Sequence, residues 1–310
     1  MYYYAFLSGF QTIRENGEQI NVPKCFTRKR ASNVMDLIVF DLDGTLLNKK
    51  SQVSEHTRDT LRQLRERDIA YTVATGRTRQ DARSLLNDQG FTLPHIYKNG
   101  VLIWQPDSEV YSHSQLLTNA EIGSVVKAFL AVSVTPFIFT VQPGNRHVVY
   151  HPPMQNSTES RLATIFSQDR GMEVLPIIEM PSWAEIANVS ALGAREAIES
   201  IATLVQTENH LVAYAGTAIE GEDLHWIDIH HSAASKGTAV AKLKQDFGVS
   251  RVICFGDSDN DLSMFSMADE SYAPSNAKDE VLAVATAVIG HHNEDGISHF
   301  LRERFDLINN

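Results

Sequence analysis

Cysteine is scarce in this 310-residue chain, which holds only Cys25 and Cys254. Two residues so far apart offer neither a disulfide framework nor a metal-ligand spacing, so a reducing, cytoplasmic setting is expected. Long apolar runs are missing as well: none reaches the roughly 18 to 20 residues of a membrane span. The opening MYYYAFLSGF lacks the basic start of a secretory signal, and no membrane partner is expected. Positive charge is also in short supply, with 27 Lys and Arg against 38 Asp and Glu and a formal net charge of −11. Phosphate-backbone affinity is built mostly from Lys and Arg, so nucleic acid is not an expected partner. A small phosphorylated molecule is still compatible, provided that the cations are local. Internal repeats and low-complexity segments are lacking too.

What is present is an ordinary globular composition, 43% hydrophobic and 21% charged, in a length that suits two domains or one with a large insertion. Residues 1–34 stand apart. They end in a small basic cluster, KCFTRKRASN, show no sustained apolar period, and read as a poorly ordered N-terminal extension ahead of Met35.

From Asp36 strands and helices alternate. LIVF (37–40) has the short, fully apolar character of a strand buried on both faces of a parallel sheet. A helix follows over 54–67 with Ser54 as N-cap, then the strand IAYTVATG (69–76), then a helix over 79–90 closed by Gly90. This rhythm predicts a doubly wound, parallel, Rossmann-like α/β core sheet. It breaks at HIYKNGVLIW (95–104), where Asn99-Gly100 suggests a hairpin. Residues 116–228 then mix helices with alternating strands, as expected of an inserted α+β domain. The core rhythm resumes with the helix SKGTAVAKLKQDFG (235–248) and the buried strand RVICFGD (251–257). The expected division is therefore 35–115 and 229–310 for the core and 116–228 for the insertion.

Three strand ends carry chemistry: Asp41 with Asp43, Thr75, and Asp257 with Asp259 and Asp261. In a parallel sheet ligands gather at the carboxyl ends of the strands. Carboxylates that converge there repel one another unless a hard cation is present, and oxygen ligands of this kind suit Mg²⁺. Lys236 at a helix start adds a compact positive charge. Together with the Thr75 hydroxyl and helix N-termini, these groups suit a phosphoryl group, and a spare carboxylate can serve as nucleophile. The stretch DLDGT by itself is equally compatible with a capped turn; its weight comes from the other elements in order.

Asp41-Leu-Asp-Gly-Thr45, Thr75-Gly-Arg77, Ser235-Lys-Gly237 and Gly256-Asp-Ser-Asp-Asn-Asp261 resemble the four motifs of the haloacid dehalogenase (HAD) superfamily of phosphohydrolases. The similarity is greatest to its Cof-type branch, which inserts a large α/β cap between the second and third motifs. Asn99-Gly100, the SNAKDEV segment around Asn276 and the HNEDG segment also resemble that branch. The resemblance implies a Mg²⁺-dependent phosphatase that acts on a small phosphate ester through an aspartyl-phosphate. Asp41 would be the nucleophile and Asp43 the acid and then the base. Thr75, Gly76, Lys236 and Asn260 would hold the phosphoryl group. Asp41, Asp257, Asp261 and the Asp43 main-chain carbonyl would form the metal site. A sugar phosphomutase and a non-catalytic phosphate-ester binder are the alternatives, and a monomer or homodimer is expected.

Other residues invite plainer readings. Adjacent histidines at 230–231 and 291–292 point to opposite faces of a strand and do not read as metal pairs. Trp226 reads as core, Cys254 as a small buried hydrophobe, and Arg77 as either a substrate contact or a carboxylate partner.

Overall fold

The computed structural model describes residues 10–15, 18–23, 36–113, 115–144, 146–218 and 223–308. The strands β1 (Phe10–Glu15) and β2 (Glu18–Pro23) form an antiparallel pair, so the extension holds local structure that its apolar pattern did not announce. The basic cluster and Cys25 lie outside the described residues.

Five parallel strands form the sheet that carries the motifs: β3 (Asp36–Phe40), β4 (Ala70–Val73), β14 (Arg251–Phe255), β15 (Glu270–Pro274) and β16 (Ala287–Ile289). Their order is β16-β15-β14-β3-β4. Side chains alternate along β3. Ile38 and Phe40 join Leu61 and Leu64 of α1 (Glu55–Glu66) and Leu301 of α9 (Gly296–Arg304) on one face. Leu37 and Val39 meet Ala239, Val240 and Leu243 of α6 (Lys236–Phe247) on the other. Each fully buried side chain of this size contributes roughly 1.5–3 kcal/mol, which fixes both the sheet and the point where each strand emerges from it. Cys254 is buried among them.

A three-stranded antiparallel sheet follows α2 (Arg79–Leu86): β5 (His95–Tyr97), β6 (Leu102–Gln105) and β7 (Val110–His113). A bridge between Ala74 and Ile96 joins it to the core sheet. Helix α2 is shorter than expected. Asn87 turns extended and Asp88 takes a positive φ of 63°, so the helix ends before Gly90 is reached.

The remaining strands make one six-stranded sheet: β8 (Phe137–Gln142), β9 (Arg146–His151), β10 (Glu173–Pro176), β11 (Glu185–Ala194), β12 (Leu211–Thr217) and β13 (Leu224–His231). They lie in the order β10-β9-β8-β11-β13-β12. One face, with Val189, Ile227 and Ile229, packs on Val125 and Phe129 of α3 (Gly123–Ala131) and on Ile198, Ile201 and Val205 of α5 (Arg195–Val205). Register puts Ser190 opposite Asp228, and Asp228 opposite Tyr214, on the other face. Trp226 is 40% exposed rather than core; its ring lies over Gly216 of the next strand, which has no side chain to displace it. Among the described residues no helix is long and apolar enough to cross a membrane.

Candidate active site

The amide of Asp41 donates to the Phe255 carbonyl at 2.9 Å, so the last bond of the β3–β14 ladder sets the position of its carboxylate. The chain then makes a wide turn over Leu42–Leu46, closed by Leu46 N–H to Asp41 O at 3.2 Å and Leu47 N–H to Leu42 O at 2.9 Å. Gly44 has a φ of +73°, and a Cβ there would stand 2.4 Å from Asp257 Oδ2. Glycine is therefore required for both the turn and the close approach of Asp257. The Thr45 hydroxyl donates to Asp257 Oδ1 at 3.1 Å. Asn276 steadies the same turn by donating to the Gly44 carbonyl at 2.8 Å while accepting from His292 N–H.

Lys236 opens α6. The helix is fixed by a capping box in which Ser235 Oγ accepts from Thr238 N–H and the Thr238 hydroxyl accepts from Ser235 N–H. The lysine is fully buried, and its Nζ donates to Asp41 Oδ1 at 2.5 Å and to Asp261 Oδ1 at 2.7 Å. Asp261 Oδ2 accepts from the amides of Asp257 and Ser258 at 2.9 and 3.0 Å. Every oxygen of Asp261 is thus engaged.

Three carboxylates face one ammonium here. Burial raises Asp41 well above the ordinary carboxylate range; Lys236 pulls against this, while Asp261 and Asp257 add to it. Asp257 is raised to about 6, by burial and by Asp261. Burial works to lower Lys236, but Asp261 and Asp41 outweigh it and hold the ammonium above its usual value. An excess of buried negative charge is what a divalent cation offsets. Asp41, Asp257 and Asp261 each bring a carboxylate oxygen to within 4.8 Å of the others, so the donor set fits a hard, oxygen-seeking ion. The Asp43 side chain lies outside this trio.

Asp43 is 54% exposed and is gripped by the Arg77 fork, Nε to Oδ2 at 2.7 Å and Nη2 to Oδ1 at 2.5 Å. This settles Arg77 as a carboxylate partner. Thr75 is buried, and its hydroxyl oxygen accepts from Arg77 N–H at 3.1 Å, which leaves its proton free to be donated. Gly76 lies against Asn99, whose Oδ1 would stand 3.1 Å from a Cβ at Gly76. Asn260 Nδ2 donates to that same Asn99 Oδ1 at 2.9 Å, so its amide braces the hairpin.

That hairpin holds one residue that the sequence did not mark, Lys98. Lys98 and Asn99 both have positive φ, 48° and 53°, and a Cβ at Gly100 would lie 2.0 Å from the Ser235 carbonyl. The turn is seated against the start of α6. It sends Lys98 Nζ to within 4.5 Å of the Phe139 ring centroid and 3.7 Å of Asp228 Oδ1. Asp228 Oδ1 also accepts from Asn188 Nδ2 at 2.5 Å and from Ser190 Oγ. His230 stacks obliquely on Tyr214 at 5.6 Å. Burial raises the pKa of Tyr214, and Lys236, Asp261 and Asp259 are near enough to act on it as well, which puts this polar face of the six-stranded sheet on the side of the acidic cluster.

The model of the haloacid dehalogenase-like hydrolases matches residues 38–301. The chain belongs to this family. A 5-amino-6-(5-phospho-D-ribitylamino)uracil phosphatase of Bacillus subtilis is 27% identical over 283 residues, covering 86% of this chain and 97% of the relative. The pyridoxal phosphate phosphatase of Escherichia coli is 24% identical over 279 residues, covering 86% of this chain and 97% of its own length. A solved haloacid dehalogenase-like hydrolase from Bacteroides thetaiotaomicron superposes with a TM-score of 0.68 at 21% identity, over 87% of this chain and 99% of that one. The α/β core with separate cap sheets expected of this HAD hydrolase is the observed fold.

Proposed function

We propose that this phosphatase hydrolyses the phosphate monoester of a small polar metabolite, a sugar phosphate or similar, with Mg²⁺ and through an aspartyl-phosphate on Asp41. The observation that carries the reading is the fully buried Lys236, which joins Asp41 to Asp261 at the strand ends beside Asp257 and the Arg77-held Asp43. In this reading residues 35–115 and 229–310 are the catalytic core and 116–228 the cap.

Among the described residues Asp41 Oδ1 accepts from Lys236 and Oδ2 accepts no hydrogen bond, which supports Oδ2 as the attacking atom. Its lone pair forms the new bond to phosphorus as the ester P–O bond breaks, and Asp43, which must first leave the Arg77 fork and take up a proton from solvent, gives that proton to the leaving oxygen. Asp43, now a base, takes a proton from the water that attacks phosphorus; the bond to Asp41 breaks and inorganic phosphate leaves. Thr75 and Lys236 hold the phosphoryl oxygens, and Gly76 leaves its backbone open to them. Asn260 keeps the hairpin against this pocket. Asp41 and Asp257, with the Asp43 carbonyl, would hold the ion, and Asp261 would orient both Lys236 and the 257–258 turn. When bound, Mg²⁺ supplies charge neutralisation between nucleophile and phosphoryl group.

The polar face built from Lys98, Asn188, Ser190, Asp228 and Tyr214 supports a hydroxyl-rich leaving group. The ribityl chain in the substrate of the Bacillus subtilis relative is of that chemical type. Phosphate release from a panel of phosphomonoesters, with and without Mg²⁺, tests the proposal: release should require the ion and vanish in Asp41→Asn. Full activity in that variant overturns the mechanism. Interconversion of sugar phosphates without phosphate release would mark a mutase instead, and tight binding without turnover a binding protein.

A further inference from the structure

Helix α2 begins with a charge of the wrong sign. Arg79 is its first residue, at the positive end of the helix dipole, where an acidic residue is the stabilising choice. Among the described residues no carboxylate lies within the 4.0 Å ion-pair limit of Arg79. Its guanidinium is held instead over the face of Trp104, 3.8 Å from the ring centroid, and is hydrogen-bonded to the Tyr111 hydroxyl. Two further arginines, Arg65 of α1 and Arg83 of α2, converge on the same hollow, a cavity of about 560 Å³ bounded by both helices and by β5 and β6. They too have no ion-pair partner among the described residues.

A plain account covers part of this. Arg65 and Arg83 lie in the last turns of their helices, where cations complement the dipole. It does not account for Arg79, nor for Gly90, which has a φ of +78° and where a Cβ would stand 2.6 Å from Arg65 Nη1 and 2.7 Å from the Tyr71 hydroxyl. The missing side chain lets Arg65 lie across the hollow. All three cations are arginines, whose planar forks match paired oxyanion oxygens better than lysine does. Phe91, His95, Tyr97 and Trp104 also line the hollow, and each is at most 8% exposed. Asp88 and Glu109 complete the charged lining, which leaves three cations to two anions in a chain of net charge −11.

We propose that this hollow is a second, non-catalytic site for a small phosphate-bearing anion with at least two negative charges, gripped by Arg65, Arg79 and Arg83. It shares no lining residue with the centre formed by Asp41, Lys236, Asp257 and Asp261. Its occupant is either an inorganic polyphosphate or an organic bisphosphate.

Trp104 is the reporter. With Trp183→Phe and Trp226→Phe in place it is the chain's sole tryptophan. In metal-free buffer, inorganic pyrophosphate and a hexose bisphosphate are titrated in parallel against the full chain carrying Asp41→Asn, which prevents turnover. A saturable change in Trp104 emission is expected with one or both probes, and the probe that saturates names the source. The half-point should rise at least about tenfold in Arg65→Ala/Arg83→Ala, and also in Arg79→Lys, which keeps the charge but loses the fork. Matching circular dichroism and thermal midpoints show that these variants fold. No saturable change with either probe, an unchanged half-point in the arginine variants, or loss of the signal in Lys236→Met while it folds would overturn the site, the last by placing the probe at the catalytic centre.

Discussion

Two polar surfaces meet in this molecule, and they are built by opposite rules. At the strand ends of the five-stranded sheet the central groups are charged, deeply buried and bound to one another: Lys236 and Asp261 are 0% exposed, and both Asp261 oxygens and the lysine ammonium have named partners. On the polar face of the six-stranded sheet the groups are mostly neutral, and the satisfaction is incomplete. Among the described residues Asn188 Oδ1 and His230 Nε2 are buried without a hydrogen-bond partner. An orphaned buried polar atom costs about 1–3 kcal/mol. The first surface spends its geometry on fixing charge where low dielectric makes it strong; the second keeps hydrogen-bonding capacity in hand, which suits the recognition role proposed for it.

The sharpest way to break this comparison is at the nucleophile. Asp41→Asn keeps the shape and removes the proposed attacking oxyanion, so kcat should fall by about 10³-fold or more. Lys236 retains Asp261 as partner, and a carboxylate that burial already disfavours is gone, so the thermal midpoint should hold or rise. A midpoint collapse would mean that Asp41 is structural. Lys236→Met is the converse. It leaves Asp41 and Asp261 facing each other without the ammonium, and breaking a buried pair from one side costs about 3–5 kcal/mol. Denaturant unfolding in metal-free buffer measures this; a loss below about 1 kcal/mol would show that the carboxylates were not relying on the lysine.

The two surfaces also differed in how far the sequence revealed them. Asp41, Thr75, Lys236, Asp257 and Asp261 were legible because each sits where an apolar strand or a capped helix stops, and local pattern fixes such points. Asp43 was legible as a residue, but the Arg77 fork was not, since Arg77 fitted two roles. Lys98 and Asp228 were opaque. Their approach depends on two successive left-handed residues at 98 and 99 and on register across a sheet more than a hundred residues away, neither of which leaves a periodic trace. Asn276 was visible as part of a family-like segment, yet its bond to the Gly44 carbonyl joins residues 232 positions apart. Trp226 failed for a simpler reason: a large apolar side chain reads as core until the neighbouring strand proves to offer a glycine.

On the recognition surface effects should be smaller and of another kind. Asp228→Asn turns an acceptor of three approaching donors, Lys98, Asn188 and Ser190, into a group whose NH₂ opposes at least one of them. A loss of about 1–3 kcal/mol in urea unfolding is expected. In steady-state assays on the best ester of the panel KM should rise while kcat changes little, because in the proposed reading the residue faces the leaving group. A kcat loss comparable to that of Asp41→Asn would erase the distinction between the two surfaces.

The smallest expected effect is also the one in which the surfaces carry opposite signs. Burial lowers the pKa of His230, with Asp228 pulling the other way, whereas an unfolded histidine titrates near about 6.5. Between the lowered folded value and 6.5 the unfolded chain holds more protons, so His230 makes stability rise with pH and fall on acidification through that window. Asp257 does the reverse. Raised from 3.8 to about 6 by burial and by Asp261, it makes the folded protein the better proton binder across that interval, and stability falls as pH rises through it. Thermal midpoints measured from pH 7 to pH 4 in metal-free buffer should therefore separate the two. His230→Gln should lose less on acidification than the parent chain, and Asp257→Asn should lose more. If the His230→Gln and parent curves run parallel, the imidazole is charged when folded, and the six-stranded sheet fixes a charge just as the strand ends do.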